Sequence, residues 1–277
     1  MLGTDVCGLL GDRGISYSGV DEMDFDLLDV EAVRSAVRGH AVVVNCAAWT
    51  AVDTAEEQEG LAFGINAVAA AMLARAAREN GARLLQVSTD YVFDGRSDSP
   101  YPEDETPAPR SAYGRTKAAG EWAVRAEAPD RATILRTAWL YGRHGRCFPR
   151  TIARVTREQG TASVVDDQHG QPTWTRDVAD LMIRLVEADA PAGIWHATSS
   201  GQTSWFGFAQ AVVEAAGLGA DVVNPTDSTA VAGSAPRPAF SVLGHDRLHA
   251  HGFEPIGDWR ERWNVAASEV LALHEAE

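Results

Sequence analysis

The segment Ala41-Val42-Val43-Val44-Asn45-Cys46-Ala47-Ala48 decides the fold class of this sequence. It begins with a short, continuous apolar run that is rich in β-branched side chains. Such a run is typical of a strand buried on both faces of a parallel sheet. Residues 84–88 and 132–136 have the same character. The sequence therefore predicts several neighbouring strands of one parallel sheet.

Helical patterns lie between these strands. Apolar residues recur at helical spacing in four segments, residues 30–38, 60–80, 113–126 and 175–187. Gly81 follows the second of them, where a helix end favours a residue with positive φ. Weaker strands are predicted at 15–20 and 193–196. About five strands alternating with helices favour an α/β fold with an open, doubly wound parallel sheet of the Rossmann type over an eight-unit barrel.

The alternation ends after residue 197. A helix is predicted at 204–216, a segment rich in Pro, Ser and Thr at 224–238, and a last helix at 259–274. This pattern predicts a smaller C-terminal lobe set against the carboxyl edge of the sheet, where doubly wound folds bind their ligands.

Composition excludes several classes of protein. The 277 residues include 24 Lys or Arg and 39 Asp or Glu, a formal net charge of −15, and 45% are hydrophobic. These values exclude a disordered chain and argue against nucleic acid or an anionic membrane surface as partners. No apolar run approaches 18 residues and no signal peptide is evident, so no membrane span is predicted.

The cysteines indicate a compartment but no site. Three cysteines are too few for a disulfide framework and fit a reducing cytosol, so we expect a cytoplasmic protein. No Cys or His cluster has the spacing of a zinc site, and no metal site is predicted.

A tyrosine and a lysine at the start of a predicted helix are candidate catalytic residues. Tyr113 and Lys117 are four residues apart, so both side chains lie on one face. An ammonium about 5 Å from a phenol, at an effective dielectric of about 20, stabilises the phenolate by roughly 3 kcal/mol. This would lower the pKa of the phenol by about 2, towards neutrality, where it transfers protons well. The spacing alone also occurs in ordinary surface pairs.

Two strand ends strengthen this interpretation. Ser88 and Thr89 end one buried strand, where their hydroxyls would hold a carbonyl oxygen or merely cap the strand. Ala47 and Ala48 end another, where small side chains would let a flat ligand approach the backbone or would simply pack closely against a helix. Arg237, in an Ala-Pro-Arg-Pro segment, has the planar fork that grips a diphosphate, although it could also be a surface arginine.

These residues lie in motifs that together resemble the dTDP-4-dehydrorhamnose reductase family of extended short-chain dehydrogenase/reductases. The resemblance covers nearly the whole chain, in the family's order. The motifs are Asn45-Cys46-Ala47-Ala48-Trp49-Thr50-Ala51-Val52-Asp53, Ser88-Thr89-Asp90-Tyr91-Val92-Phe93-Asp94-Gly95, Tyr113-Gly114-Arg115-Thr116-Lys117-Ala118-Ala119-Gly120-Glu121, Arg136-Thr137-Ala138-Trp139-Leu140-Tyr141-Gly142, Asp167-Gln168-His169-Gly170-Gln171-Pro172-Thr173, and Arg237-Pro238 followed by Ser241-Val242-Leu243.

The resemblance implies a role for each matching residue. Tyr113 would donate a proton, Lys117 would tune it and hold the nicotinamide ribose, and Thr89 would bond the substrate carbonyl and Tyr113. The residues implied to bind substrate are Thr89, Asp90, Trp139 and Arg237. The residues implied to bind cofactor are Leu2, Gly3, Asp21, Asp26, Leu27, Ala47, Ala48, Thr50, Val87, Tyr113 and Lys117. Residues 1–140 and 171–197 would form the dinucleotide-binding domain, and 141–170 and 198–277 the substrate-binding lobe.

The implied activity is the reduction of a dTDP-4-keto-6-deoxyhexose, dTDP-4-dehydro-L-rhamnose to dTDP-L-rhamnose, with NADPH or NADH. A ketoreductase for another nucleotide deoxysugar and a non-catalytic regulatory or binding protein on the same fold stay open as alternatives. The resemblance also allows Mg²⁺, whose ligands the sequence does not place, and a homodimer.

The N-terminus departs from the family pattern. Members begin with an apolar strand and a Gly-x-x-Gly-x-x-Gly turn, whereas this sequence opens on Met1-Leu2-Gly3, which resembles the last glycine and the start of the following helix. The first strand and most of the turn are missing. We expect either a shortened chain or a loss of normal cofactor binding, and the intact motifs downstream favour the first.

Cofactor preference is predicted from the second strand. Asp21 or Glu22 would end this strand and accept hydrogen bonds from the adenosine ribose, while repelling a 2′-phosphate. No Arg or Lys lies between Arg13 and Arg34 to offset that repulsion. We therefore expect NADH to serve at least as well as NADPH.

Overall fold

The computed structural model describes residues 1–230, 233 and 235–272. Its helices are α1 (Leu2–Asp12), α2 (Val30–Val37), α3 (Val52–Glu57), α4 (Glu59–Phe63), a π-helical turn (Gly64–Ala69), α5 (Ala70–Glu79), α6 (Ala112–Glu127), α7 (Phe148–Gln159), α8 (Thr175–Glu187), α9 (Trp205–Ala215), α10 (Asp246–Ala250) and α11 (Trp259–Leu271). Its strands are β1 (Val42–Asn45), β2 (Arg83–Thr89), β3 (Ala132–Thr137), β4 (Leu140–Tyr141), β5 (Ala162–Val165), β6 (His169–Gly170), β7 (Thr173–Trp174), β8 (Gly193–His196), β9 (Ser199–Ser200), β10 (Thr203–Ser204), β11 (Val223–Thr226) and β12 (Ile256–Asp258).

Four parallel strands form the central sheet in the order β1-β2-β3-β8. Successive side chains of a strand point to opposite faces. Leu84 and Ile134 accordingly pack on one face against α2, α5 and α6, while Leu85 and Leu135 pack on the other against α1 and α8. Helices thus cover both faces, as the doubly wound prediction requires, and the carboxyl ends of all four strands meet at one edge.

The predicted strand at residues 15–20 is wrong. The segment has no regular structure and carries exposed apolar side chains, including Ile15 and Val20. A strand needs a neighbour to accept its backbone hydrogen bonds. In the described residues, β1 pairs only with β2, and its outer edge has no strand beside it. Residues 15–20 therefore have no neighbouring strand with which to form backbone hydrogen bonds.

The C-terminal lobe has a core of its own. Tyr141, Phe208 and Trp263 are buried at its centre, between α7, α9 and α11. The sequence predicted α9 and α11 but missed α7 and the parallel pair β5–β11. Trp174, on the sheet side of the predicted boundary, also packs into this core. The proposed division into two domains stays a prediction.

The helical stretch Glu59–Glu79 is long and apolar. By length and composition alone, these 21 residues would suffice to cross a membrane, although the sequence predicted no span. Half of it is buried inside the protein, where it packs against α6 and β2. Core helices of folded proteins pass the same test, so the stretch carries little weight as evidence of a membrane span. A π-helical turn interrupts it and brings buried Asn66 next to the helix that carries Tyr113.

Close packing at this turn leads to the first prediction. A methyl group on Gly120 would overlap the backbone carbonyl oxygen of Asn66, whereas nothing lies within 4 Å of the corresponding position on Gly8 in α1. We expect Gly120→Ala to lower the free energy of unfolding by about 1–3 kcal/mol. Gly8→Ala, the matched control, should raise it by about 0.5–1 kcal/mol. Urea unfolding measures both, and equal effects would contradict the packing described here.

Candidate active site

The start of α6 fixes the position of the candidate catalytic tyrosine. Ser111 caps the helix by accepting a hydrogen bond from the Gly114 N–H at 3.1 Å, and the Glu56 carboxylate accepts one from the Ala112 N–H at 2.7 Å. A side chain at Gly114 would overlap the carbonyl oxygen of Tyr91. The first turn of α6 therefore lies directly against the segment that follows β2, which places Tyr113 next to the end of that strand.

Lys117 is buried one turn further along α6. Its Nζ donates a hydrogen bond to the Val87 carbonyl oxygen of β2 at 2.6 Å. Burial lowers the pKa of this lysine to about 8, and the negative charge of Glu121 opposes the change. The ammonium therefore stays mostly charged at neutral pH, and it is tied to the carboxyl half of β2.

The prediction that Lys117 lowers the pKa of Tyr113 is wrong for this structure. Burial raises the pKa of the Tyr113 phenol to about 12, and the negative charge of Asp90 adds to the rise. A hydrogen bond with Thr89 acts in the opposite direction. Desolvation of the phenolate thus outweighs the expected stabilisation, because the Lys117 ammonium is directed to the Val87 carbonyl.

Thr89 is the last residue of β2, and Asp90 follows it. The Thr89 hydroxyl donates a hydrogen bond to Asp90 Oδ1 at 2.9 Å and accepts one from the Tyr91 N–H at 3.2 Å. The Asp90 side chain is buried, and burial raises its pKa to about 6. Its second oxygen, Oδ2, has no hydrogen-bond partner in the described part of the chain. Thr89 and Asp90 are therefore joined by a hydrogen bond, and both influence the pKa of Tyr113.

Ser88 does not join Thr89 and Asp90. Its hydroxyl donates to the Glu121 carboxylate, which also receives two hydrogen bonds from the Arg136 guanidinium, at 2.9 and 2.7 Å. Glu121 and Arg136 are 2% and 0% exposed, and the guanidinium lies over the Phe93 ring. This buried ion pair joins α6, β2 and β3 beneath the site, so Ser88 holds the helix in place.

Trp139 follows β3 in a strained conformation. Its φ of 46° is one that L side chains rarely adopt and that costs about 1–3 kcal/mol. Its ring stacks on Trp205 with centroids 3.6 Å apart, and a side chain at Gly170 would overlap it. Strain of this kind concentrates at functional sites. The pair offers a flat apolar wall in the C-terminal lobe.

Arg237 of the C-terminal segment contacts α3. Its guanidinium forms a 2.6 Å ion pair with Asp53, which also accepts the Ala235 N–H at 3.1 Å. The Arg237 and Asp53 side chains are 34% and 48% exposed. A diphosphate bound here would therefore compete with the Asp53 carboxylate for the guanidinium.

The segment after β1 suits a flat ligand. Ala47 is exposed and Ala48 partly exposed, so their backbone is accessible. The Asn45 side chain accepts a hydrogen bond from the Ala47 N–H at 3.0 Å. The Asn66 side chain accepts one from the Trp49 N–H at 2.9 Å and donates one to the Trp49 carbonyl at 3.2 Å. These side-chain amides fix the backbone of the segment. Thr50 follows, exposed. Their role in binding the cofactor stays a prediction.

The remaining residues predicted to bind the cofactor lie in local turns, in the hydrophobic core or in the first turn of α1. The Asp21 and Asp26 carboxylates accept N–H groups of their own turns, at 2.8 Å each, and Leu27 packs against the core beneath α2 and α5. Asp21 does not end a strand, so the predicted preference for NADH lacks its structural premise and stays a prediction. Leu2 is a core residue of α1. Gly3 is partly exposed in the first turn of that helix.

Comparison with known proteins identifies the family. The model of the RmlD substrate binding domain family matches residues 1–271. The chain belongs to this family. Its sequence is 48% identical over 266 residues, 94% of this chain and 88% of the relative, to the dTDP-4-dehydrorhamnose reductase of Streptomyces griseus. It is 43% identical over 279 residues, 100% of this chain and 95% of the relative, to the dTDP-4-keto-6-deoxy-D-glucose reductase of Streptomyces niveus.

Solved structures of this family share the fold. The dTDP-4-dehydrorhamnose reductase of Clostridium acetobutylicum superimposes with a TM-score of 0.91 at 37% identity, over 96% of this chain and 94% of that one. The reductase of Bacillus anthracis, solved in complex with NADP, gives 0.92 at 33% identity over the same fractions. The family resemblance and the Rossmann-type fold predicted from the sequence are therefore confirmed.

Several residues of this RmlD family member were missed because their partners are distant in sequence. Asn66, Glu56 and Asp53 each bond a backbone group or side chain about 50 or more residues away. The one available signal was the family motif, which includes Asp53 but says nothing about its partner. The described residues contain no group of three or more His, Cys, Asp or Glu side chains that would hold a metal ion, and Mg²⁺ stays a prediction.

Proposed function

We propose that this chain reduces the 4-keto group of a dTDP-4-keto-6-deoxyhexose, dTDP-4-dehydro-L-rhamnose to dTDP-L-rhamnose. One observation carries the proposal. Thr89, Tyr113 and Lys117 lie together at the carboxyl end of β2: a hydroxyl ends the strand, a phenol lies in the first turn of α6, and a buried ammonium bonds the Val87 carbonyl. A carbonyl reduction needs such groups from the protein: a proton donor, a hydroxyl for the carbonyl oxygen and a cation that holds the cofactor.

Tyr113 would donate the proton. A bound reduced nicotinamide supplies the hydride that adds to C4 of the sugar. Negative charge then develops on the sugar O4, and the Tyr113 hydroxyl transfers its proton there because an alkoxide is a stronger base than a phenolate. The Lys117 ammonium would hold the nicotinamide ribose, and the exposed Ala47 and partly exposed Ala48 would leave room for the flat ring.

The C-terminal lobe would hold the rest of the substrate. The stacked Trp139 and Trp205 rings offer an apolar wall for the deoxysugar, whose 6-methyl group has no polar atom to satisfy. Arg237 would bind the diphosphate after exchanging the Asp53 carboxylate for phosphate oxygens, a ligand that its planar fork matches equally well.

A second deoxysugar is supported by the relatives. The Streptomyces niveus protein is named as a dTDP-4-keto-6-deoxy-D-glucose reductase and is nearly as similar as the rhamnose-forming relative. A ketoreductase for another dTDP-4-keto-6-deoxyhexose is therefore the second candidate. This second reaction would use Tyr113 as the proton donor as well, and the two reactions would differ in the stereochemistry of the sugar that the C-terminal lobe accepts.

Turnover of the two sugars tests the proposal. The purified chain is incubated with dTDP-4-dehydro-L-rhamnose or dTDP-4-keto-6-deoxy-D-glucose and with NADPH or NADH, while the absorbance of the reduced cofactor is followed. We expect oxidation of the cofactor with the first sugar and formation of dTDP-L-rhamnose. Turnover of the second sugar alone would favour the second candidate. Binding of both sugars without turnover would overturn the proposal in favour of a binding protein.

The role of Arg237 gives a further prediction. We expect Arg237→Ala to raise KM for the nucleotide sugar about 10-fold or more and to leave kcat within about threefold, because a charge-assisted hydrogen bond is worth about 1.5–3 kcal/mol. Arg154 is an exposed arginine of α7 that pairs with Glu158. Arg154→Ala is the control and should change neither KM nor kcat. A fall in kcat with unchanged KM would contradict a diphosphate contact.

A further inference from the structure

Two short strands of the C-terminal lobe bring two contacts to the Trp139 side chain. Strand β6 ends at Gly170, where a side chain would overlap the Trp139 ring. Strand β10 pairs antiparallel with β6, and Trp205 follows β10 directly. The Trp205 ring stacks on the Trp139 ring, with the two planes 8° apart. A close backbone and a flat ring therefore limit where the Trp139 ring can lie.

The strained backbone of Trp139 depends on such contacts. A residue other than glycine keeps a φ of 46° only when its surroundings over-determine that conformation. The Trp139 carbonyl accepts a hydrogen bond from the Thr173 N–H at 3.2 Å, which holds the backbone in place. The direction of the side chain needs a contact of its own, and the stacked Trp205 ring provides it.

Trp205 is itself anchored to the core of the C-terminal lobe. Its N–H donates a hydrogen bond to the Gln168 carbonyl at 3.3 Å. The Phe148 ring of α7 packs on it with centroids 4.5 Å apart, and Phe148 in turn packs on the buried Phe208. A row of rings thus runs from the core to Trp139. The two tryptophans at its end are partly exposed, so a ligand can reach them.

We propose that Trp205 is a positioning residue for the sugar, because it holds the Trp139 ring in its binding orientation before the substrate arrives. The inference rests on the proposed function, in which Trp139 contacts the deoxysugar. A ring that is already held in place loses no further freedom on binding, and this increases affinity. The gain should concern the sugar and leave the binding of the nucleotide unchanged. Trp205 lies outside the motifs that carry the family resemblance, so the sequence did not indicate it.

Trp205→Leu tests this role, because leucine keeps apolar bulk in the lobe and removes the flat ring. Calorimetry measures the binding of dTDP-L-rhamnose and of dTDP, which lacks the sugar. We expect Kd for dTDP-L-rhamnose to rise about 10-fold, the upper end of what one aromatic pair contributes. Kd for dTDP should not change. Trp205→Phe keeps a ring that can stack and should recover most of the lost affinity.

Two controls separate the position of the ring from the stability of the lobe. Trp263 is a fully buried tryptophan of the same core, and its ring contacts are with Tyr141 and Phe208. Trp263→Phe should lower the free energy of unfolding and leave both Kd values unchanged. The second control is Trp205→Leu in a Trp139→Ala background. It should cost no further affinity for dTDP-L-rhamnose, because a positioning residue acts only through the side chain that it positions.

The wild type offers a measurement that does not depend on the folding of a variant. Among the described residues, Trp139 and Trp205 are the only two tryptophans whose rings stack on one another. The exciton couplet of stacked indoles in far-ultraviolet circular dichroism therefore reports on this pair. We expect the couplet in the free protein and the same couplet after saturation with dTDP-L-rhamnose.

Three outcomes would overturn the role of Trp205. Equal losses of affinity for dTDP and dTDP-L-rhamnose in Trp205→Leu would mean that the lobe has lost its structure. A further loss in the Trp139→Ala background would mean that Trp205 binds the sugar directly. A couplet that is absent from the free protein, or that disappears on binding, would mean that the ring is not held in advance.

The proposed function can fail separately. A wild type that binds dTDP-L-rhamnose and shows the expected effects, but does not turn over the 4-keto sugar, would refute the reductase activity and leave the role of Trp205 in binding. A wild type that does not bind dTDP-L-rhamnose would refute both proposals.

Discussion

Tyr113→Phe is expected to lower kcat for the 4-keto sugar by about 10²–10⁴-fold, the usual contribution of a positioned acid. The ring still packs edge-to-face on Tyr91, with centroids 5.5 Å apart, so the structure should be kept. The affinity for the nucleotide sugar should change little, because the variant removes one hydroxyl and leaves Trp139 and Arg237, the proposed contacts of the sugar and the diphosphate, unchanged. Steady-state kinetics measures kcat, and calorimetry measures sugar binding.

The control for this variant is Tyr141→Phe. Tyr141 is fully buried in the core of the C-terminal lobe, and its hydroxyl has no hydrogen-bond partner in the described chain. Removing that hydroxyl should leave kcat unchanged. If Tyr113→Phe keeps more than about a tenth of the wild-type rate, Tyr113 is not the proton donor.

Arg136→Met is expected to have the largest effect on stability. It leaves the Glu121 carboxylate buried with only the Ser88 hydroxyl as a partner. Breaking a buried ion pair on one side costs about 3–5 kcal/mol, because the remaining charge is uncompensated. Since Glu121 lies on the helix that carries Tyr113 and Lys117, kcat should fall as well. Urea unfolding and steady-state kinetics check the two effects.

Two controls separate the charge from the packing. Replacing both partners, with Glu121→Leu and Arg136→Met together, should recover most of the lost stability, because no lone charge stays buried. Glu158→Gln, at an exposed i,i+4 pair with Arg154, should change the free energy of unfolding by less than about 0.5 kcal/mol. A double variant less stable than Arg136→Met would show that the pair itself stabilises the fold.

Local sequence patterns were sufficient to predict the strands of the central sheet and several of the helices that cover it. The strands β1, β2, β3 and β8 and the helices α2, α6 and α8 begin and end within about two residues of their predicted limits. The continuous apolar runs and the helical spacing depend on burial, which is a local property of the pattern. Gly81 has the predicted positive φ, 70°. The strand at 15–20 failed because a strand also needs a partner.

The chemistry of the site depended on contacts that patterns do not encode. Spacing placed Tyr113 and Lys117 on one helix face, but the effect of burial on the phenol and the Val87 carbonyl that holds the ammonium emerge only in three dimensions. The family motifs named Thr89 and Asp90 without their hydrogen bond. The pairing of Glu121 with Arg136 joins two motifs, and neither motif indicates it alone.

Transfer of deuterium tests the central claim most directly. The chain is incubated with a dTDP-4-keto-6-deoxyhexose and with reduced nicotinamide cofactor that carries deuterium on the transferred position of either face. The account predicts a product sugar that contains one deuterium at C4 from one of the two labelled faces, and almost no product with Tyr113→Phe. A chain that binds the sugar and the cofactor but leaves C4 unlabelled would contradict it.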